Sequence, residues 1–301
     1  MIYLDPKNDV AFRKIFGEHK DLCISLLNAL LPLPEDGLIE SIEYQPLDVL
    51  PERIGGKCTV VDVKCADQKG RQFLVEMQLF WNEAFIKRFI LNSAKTYANQ
   101  LDKGSPYKSL YPVYSLCILN DRFVKHPELE SVYRHIFQFR HETFPELKFE
   151  DITLVFVELP KFRSDNRVHN KMAHLWLEFL TTIKNGDETV APELLENADT
   201  AKALDILQIG SFSKAELNAY DLCLDRILYE DILVQGNRDQ GYAEGMKEGM
   251  KEGIEKGMKE GMKEGMEKGM KEAQNHIIQN MISNGFDRDT ILKLTGVDIG
   301  E

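Results

Sequence analysis

The sequence predicts an α/β fold in which helices flank a mixed β-sheet. Apolar residues at helical spacing alternate with short strand-like runs over about the first 120 residues. Val113–Leu119 is an apolar run, which is typical of a strand that is buried on both faces. The 301 residues are 43% hydrophobic, so the chain is long and apolar enough to bury a sizeable core.

The elements are predicted in the order helix, helix, three strands, helix and strand. Gly17 ends the first helix, and Pro32 closes the second. A further strand and a long helical pattern follow. The predicted helices are residues 9–16, 20–31, 82–101 and the helical stretch 168–234, and the predicted strands are residues 39–50, 57–66, 71–81, 113–119 and 152–159.

These elements suggest three regions along the chain. Residues 1–235 are expected to form one domain, with a core at about residues 1–125 and a helical extension at about residues 165–235. Residues 236–272 form a repetitive segment, and residues 273–301 regain an apolar pattern. This last pattern predicts a small helical hairpin, in which Asp287 caps the second helix.

The repetitive segment has a period of four. Glycine occupies every fourth position from Gly241 to Gly269, most often in the unit Gly-Met-Lys-Glu. As a helix, its apolar stripe would drift by about 40° per repeat, so continuous contact with a partner would need a right-handed supercoil. Each glycine costs a helix about 1 kcal/mol relative to alanine, so a flexible charged linker is the alternative.

Charge and cysteine usage limit the class of protein. The net charge of −12 argues against a chain that coats nucleic acid through bulk electrostatics, but it is compatible with carboxylates that hold a cation. The five cysteines form no CxxC pair, which favours reduced thiols and a cytoplasmic location: Cys23, Cys58, Cys65, Cys117 and Cys223. We see neither a signal peptide nor an apolar run long enough to span a bilayer, so no membrane association is expected.

The segment most informative about chemistry is a predicted hairpin. A three-residue loop ending in Gly70 would pair Lys64 with Leu74 and place Asp62 opposite Glu76. Lys64 and Gln78 would then lie on the same sheet face as the two carboxylates. A four-residue loop is the alternative, and it would put the carboxylates on different faces.

Two carboxylates directly opposite each other repel, and their burial among valines would be costly. A divalent cation would remove both costs, and hard oxygen ligands suit Mg²⁺ or Mn²⁺. Such an ion can polarise a phosphoryl oxygen and generate hydroxide. The ordinary alternative is an Asp62 and a Glu76 that simply face solvent on their strands.

Three segments together resemble the recombination-promoting nuclease (Rpn) and transposase family, a branch of the PD-(D/E)XK nucleases. They are the Asn-Asp-Val-Ala-Phe-Arg-Lys-Ile-Phe-Gly run at residues 8–17, the Asp-Val-Lys of residues 62–64 and the Val-Glu-Met-Gln of residues 75–78. Arg88, Tyr97 and Gly104 also fit the family pattern. The resemblance implies a restriction-endonuclease-like fold and a Mg²⁺-dependent DNA endonuclease with a role in recombination or DNA mobility.

The resemblance also assigns roles to individual residues. Asp62 matches the metal-binding aspartate, and Glu76 matches the acidic member of (D/E)XK. Gln78 stands where the superfamily usually has lysine, so either Gln78 or Lys64 is expected to orient the attacking water. Asp9 matches an extra helical metal ligand, with a helix cap as the alternative.

Two functions from different classes remain open on the sequence. The first is a cytoplasmic DNA endonuclease that forms a homo-oligomer through its repeat, since the Met and Ile stripe needs a partner. The second is a non-catalytic interaction protein that keeps the nuclease scaffold and assembles through the same tail. The glutamine in place of lysine is the feature that supports this second hypothesis.

Overall fold

The computed structural model describes residues 1–49, 59–102, 104–163 and 170–298. Residues 50 and 57–58 of the predicted strands, Cys58, residues 168–169 of the predicted helical stretch and residues 299–301 of the predicted hairpin lie outside this part. The chain divides into two compact units, Met1–Leu228 and Tyr229–Glu301.

In the described ranges the helices are α1 (Asp9–Phe16), α2 (Lys20–Leu30), α3 (Glu83–Ala98), α4 (Lys171–Thr182), α5 (Pro192–Glu196), α6 (Ala198–Leu207), α7 (Lys214–Ser283) and α8 (Arg288–Thr295). The strands there are β1 (Ile42–Tyr44), β2 (Asp48–Val49), β3 (Thr59–Val60), β4 (Val63–Asp67), β5 (Gln72–Gln78), β6 (Val113–Leu119), β7 (Arg134–Arg140) and β8 (Lys148–Glu158). The predicted mixed α/β architecture is confirmed.

The first unit is built on a mixed sheet. Within the described residues its strands run in the order β1-β4-β5-β6-β8-β7, and β2 pairs with β3 in a separate ribbon. The β5–β6 and β6–β8 pairs are parallel, whereas the other neighbours in the large sheet are antiparallel. The parallel strands lie at the centre of the sheet, and β6 is buried along its whole length.

The hairpin register is the one that a three-residue loop predicts. Lys64 pairs with Leu74, and the Asp67 backbone N–H donates to the Arg71 carbonyl. Gly70, the last loop residue, has a φ of 82°, a conformation that favours glycine. The register that a four-residue loop would give is therefore excluded.

Helices cover both faces of the sheet, but with different layers. The main core lies on one face, where α1, α2, α4 and α6 pack their apolar sides against β4 and β5 through residues such as Phe12, Leu26 and Trp176. The opposite face of β6 and β8 is covered by α3, with Phe85 and Phe89. The two sheet faces therefore differ in what could approach them.

Most predicted elements agree with the structure. α1 and β6 have the predicted bounds, and Asn82 caps α3 one residue before the helix begins. The predicted strand at residues 39–50 is in fact two short strands, β1 and β2. The edge strand β7 was not predicted, and β8 begins before the predicted residue 152.

The helix α7 begins in the first unit and continues through the Gly-Met-Lys-Glu segment of the second. Its Met side chains are exposed, for example 68% at Met250 and 76% at Met262. A turn with Gly285 at a φ of 78° leads to α8, where the predicted cap Asp287 accepts a hydrogen bond from the Thr290 N–H. Among the residues described, no helix combines the length and apolar character that crossing a membrane requires.

Candidate active site

The sheet face beneath α3 carries the predicted acidic residues. Asp62 lies just before β4, and Glu76 lies in β5 two residues beyond Leu74, the partner of Lys64. On the other side of β5, Glu76 is paired with the fully buried Cys117 of β6. Asp62 is a bend residue just outside the β4–β5 ladder, whose last pair on this side is Val63–Val75, and its carboxylate reaches β5 through the Met77 backbone N–H.

The Asp62 carboxylate is held by two groups from different elements. One oxygen, Oδ2, accepts a 2.8 Å hydrogen bond from the Met77 backbone N–H. The other oxygen, Oδ1, accepts from the Arg13 guanidinium of α1, at 3.2 Å from Nε and 3.0 Å from Nη2. Burial raises the pKa of Asp62, the charge of Asp9 adds to this rise, and the contacts with Met77 and Arg13 oppose it.

The Glu76 carboxylate is only 4% exposed and has partners from α3. The Asn92 side-chain amide donates to Oε1 at 3.1 Å, and Arg88 Nη2 lies 3.5 Å from Oε2. Burial raises the pKa of Glu76 to about 7, and the charge of Asp62 contributes to this rise. The Asp62 carboxylate is placed beside Glu76 along the chain, because it accepts a hydrogen bond from the backbone N–H of the next residue, Met77.

Sequence reasoning did not identify these partners as site residues. Arg13 and Arg88 are 42% and 46% exposed at their side chains, whereas Asn92 is fully buried. One signal for α3 was available. Arg88 and Asn92 are four residues apart, so they share the helix side that also presents the apolar Phe85 and Phe89 to the sheet.

The two candidates for the water-orienting role differ in their surroundings. Lys64 is half-buried, and burial lowers its pKa with no opposing contribution from a carboxylate. The Gln78 amide Nε2 donates to the Phe80 carbonyl at 2.6 Å, so one of its hydrogens is already used. Neither side chain contacts Asp62 or Glu76 within the described part of the chain.

Asp9 does not cap α1. Asn8 is the N-cap and accepts a hydrogen bond from the Val10 N–H, so the alternative reading of Asp9 as the cap is wrong. The Asp9 carboxylate instead contacts Arg226 of α7 at 2.5 Å. Its donor atoms do not form a group within 4.8 Å together with Asp62 and Glu76, and in the described ranges only His174, Glu178 and Glu193 meet that criterion.

The chemistry of the donor set fits a hard divalent cation. The buried Glu76 carboxylate on β5 and the partly buried Asp62 carboxylate before β4 are tied to neighbouring backbone positions, and burial raises the pKa of each. A cation between them would favour both charged forms. Two protein carboxylates completed by water are an ordinary ligand set for Mg²⁺. Arg13 and Arg88 supply positive charge at the rim of the site.

Comparison with known proteins gives one match. A family model described as PD-(D/E)XK nuclease family transposase matches residues 6–228. No curated protein and no solved structure matches the chain. The matched residues include every strand of the large sheet, both carboxylates and their two arginine partners.

Proposed function

Because the chain belongs to the PD-(D/E)XK nuclease family transposases, we propose that it is a metal-dependent DNA endonuclease whose metal is held by Asp62 and Glu76. Family membership confirms the resemblance to PD-(D/E)XK nucleases and gives the protein a nuclease or transposase-related role. The observation that carries the finer proposal is the pair formed by the buried Glu76 and the partly buried Asp62, which accepts the Met77 N–H next to Glu76 and, like Glu76, has a raised pKa.

The metal is proposed to be Mg²⁺, with Mn²⁺ as a substitute. When bound, it would supply Lewis acidity toward a phosphoryl oxygen and lower the pKa of a water molecule. Asp62 is fixed by the Met77 N–H, and Glu76 is fixed by Asn92, so the protein orients both ligands before a cation arrives. This preorganisation is what a phosphodiester hydrolase needs.

The arginines support the proposal through their exposure. Both guanidinium groups lie at the rim, where the side chains are nearly half exposed. The carboxylates they contact are only 12% and 5% exposed, so releasing either arginine is costly unless another cation takes its place. When a cation neutralises Asp62 and Glu76, Arg13 and Arg88 become available to bind DNA phosphates.

The role of orienting water is assigned to Lys64 or Gln78, as the sequence suggests. Lys64 has a lowered pKa and makes no ion pair among the described residues, so its amine can approach a bound substrate. Gln78 has its amide engaged with Phe80, which favours Lys64 for this role. Asp9 is proposed to act at longer range, because its charge raises the pKa of Asp62.

The biological setting follows from the family. Transposase relationship supports a role in DNA recombination or mobility, with DNA as the partner. Four cysteines are free and buried, which supports a reducing, cytoplasmic location: Cys23, Cys65, Cys117 and Cys223. The exposed Met stripe of α7 supports self-association, because contiguous apolar surface normally has a partner.

A plasmid-nicking assay with Mg²⁺ tests the proposed activity. The wild type should nick supercoiled DNA, and Asp62→Asn and Glu76→Gln should each reduce the rate by at least about 100-fold. Glu43→Gln is the matched control, because Glu43 is an exposed carboxylate on the neighbouring strand β1. It should leave the rate unchanged.

The same assay distinguishes the proposed nuclease from the non-catalytic alternative. That hypothesis draws support from Gln78, which replaces the usual lysine. Equal nicking by the wild type and both site variants would mean that the activity belongs to a contaminant. No nicking with Mg²⁺ or Mn²⁺ would favour a scaffold that has lost catalysis.

A further inference from the structure

A second group of metal-ligating side chains lies on the other side of the sheet, away from the α3 face. His174 and Glu178 are four residues apart on α4, and Glu193 is on α5. One donor atom from each lies within 4.8 Å of the other two. Because α4 packs in the main core, this cluster is separated from Asp62 and Glu76 by the sheet.

The position of His174 and Glu178 follows from the helix. Residues four apart share one face, so both side chains project toward the segment that contains α5. Neighbouring α4 residues Leu175, Trp176 and Phe179 are buried in the core, which fixes the rotation of the helix. The His174 ring packs edge-on against Phe162, with ring centroids 5.5 Å apart.

The Glu178 carboxylate is not fully hydrogen-bonded by the described residues. Its Oε2 atom is buried and has no hydrogen-bond partner in the described structure. His174 Nε2 lies 3.5 Å away, and that contact does not meet hydrogen-bond geometry. A buried, unsatisfied carboxylate oxygen is costly, so the native state gains if a cation binds there.

The separation of the two donor atoms on α4 matches that of a transition-metal site. In a tetrahedral zinc site with bonds near 2.0–2.1 Å, two ligand atoms are separated by roughly 3.3 Å. The 3.5 Å between His174 Nε2 and Glu178 Oε2 is close to that edge. Glu193 is exposed, so its side chain can move the remaining distance without disturbing the core.

The ligand types select the metal class. One imidazole nitrogen and two carboxylate oxygens suit Zn²⁺ and similar transition metals better than Mg²⁺, which prefers oxygen ligands alone. We propose that His174, Glu178 and Glu193 form a second metal site that binds a zinc-class ion and bridges α5 and α4. Three protein ligands leave one position for water, and the metal bridge stabilises the helical layer on this face of the sheet.

Calorimetric titration with Zn²⁺ tests the site. The background carries Asp62→Asn and Glu76→Gln, so that the candidate active site contributes no carboxylate ligands. One equivalent of Zn²⁺ should bind and raise the unfolding temperature. Adding Glu193→Gln should weaken binding at least about tenfold, since even indirect changes around a metal cost roughly that factor.

The matched control is Glu196→Gln, which removes the same charge from an exposed position on the same short helix. It should leave the affinity for Zn²⁺ unchanged. His174→Gln should abolish Zn²⁺ binding. If the His174→Gln protein does not fold, the exposed substitution Glu193→Gln provides the test of the site. Equal affinities in the Glu193→Gln and Glu196→Gln proteins, or no binding in the background protein, would overturn the proposal.

Discussion

The Met77 backbone N–H donates a 2.8 Å hydrogen bond to the Asp62 carboxylate. Met77 follows Glu76 in the chain, so this bond ties one acidic residue to the strand that carries the other. Their relative position is therefore set by the hairpin backbone and does not depend on a bound ion. The fold places the partly buried Asp62 carboxylate beside the strand of the buried Glu76, and burial raises the pKa of both groups.

The first prediction concerns stability and pH. The unfolded chain releases the Glu76 proton near its ordinary pKa of 4.5, whereas the folded protein releases it at about 7. The folded state therefore loses stability as pH rises from 4.5 to 7, and the full penalty, on the order of 3 kcal/mol, is present above pH 7. Glu76→Gln should remove this penalty.

Urea unfolding of the wild type and Glu76→Gln, at pH values from 4 to 8.5 without metal, measures the effect. The variant should gain stability over the wild type progressively between pH 4.5 and 7. Glu43→Gln, an exposed change, should show a difference that does not vary with pH. A Glu76→Gln protein that is equally destabilised at pH 4 and pH 8 would contradict the assigned pKa.

The second prediction rests on the proposed metal site. A cation must displace the Glu76 proton below pH 7, so metal and proton compete for this carboxylate. The Mg²⁺ concentration for half-maximal nicking should fall by about fivefold between pH 6 and pH 7, by about tenfold between pH 6 and pH 8, and level off above pH 8. A requirement for Mg²⁺ that is flat over this range would show that Glu76 is not a ligand.

Some features of the site could be predicted because they depend on nearby residues. The loop length and Gly70 set the hairpin register, which pairs Val63 with Val75 and so brings the neighbouring Asp62 close to the strand position of Glu76. The partners Arg13 and Arg88 depend on how α1 and α3 pack against the sheet. Arg13 is 49 residues from Asp62, and no local pattern encodes such a contact.

The missed strand β7 has a similar explanation. It is an edge strand whose Phe137 and Phe139 are 45% and 61% exposed, so its sequence does not alternate between buried and exposed sides. The pairing of Phe139 with Phe149 past a bulge depends on β8, which is supplied by later residues. An apolar pattern without alternation gives no periodic signal.

The third prediction tests the hairpin loop. Gly70 has a φ of 82°, and an added Cβ would lie 2.9 Å from the Tyr111 ring. Gly70→Ala should cost more stability than Gly104→Ala, where φ is 94° but the added Cβ meets no atom of the described residues within 4 Å. Both carry about 1 kcal/mol of backbone strain, and the contact with Tyr111 should add roughly 1–3 kcal/mol.

Thermal unfolding of both variants gives the comparison. The extra loss in Gly70→Ala should be relieved by Tyr111→Ala in a double mutant, because the contact is then removed. Equal losses for Gly70→Ala and Gly104→Ala would mean that Tyr111 moves aside freely. Nicking by Gly70→Ala should also fall if the loop fixes the carboxylate register.

The fourth prediction concerns two buried polar residues on α3. Asn92 donates to Glu76 Oε1, so Asn92→Leu should cost about 1–3 kcal/mol by leaving that oxygen without its donor. It should also raise the pKa of Glu76 further, because the lost hydrogen bond lowers that pKa. The Mg²⁺ requirement at pH 7 should then increase.

Thr96→Val is the matched substitution on the same helix. The Thr96 Oγ1 atom is buried and has no partner in the described structure, so its removal should be neutral or stabilising. Denaturation midpoints and nicking at graded Mg²⁺ concentrations compare the two variants. Similar losses in Asn92→Leu and Thr96→Val would indicate general packing damage on α3 instead of a role in holding Glu76.

The last prediction concerns the repeat of α7. Among the described residues of a single chain, alanine in place of Gly253 and Gly261 meets no atom within 4 Å, so each change should favour the helix by about 1 kcal/mol. If copies pack closely along the glycines and the Met stripe, the added methyl groups should nevertheless weaken self-association. Helix content should rise, and the dissociation constant of self-association should rise as well.

Sedimentation velocity over a range of concentrations measures the change in self-association, with Glu252→Ala and Glu260→Ala as controls beside the same glycines. Association that is unchanged or stronger in the Gly→Ala protein would show that the glycines do not line an interface between copies.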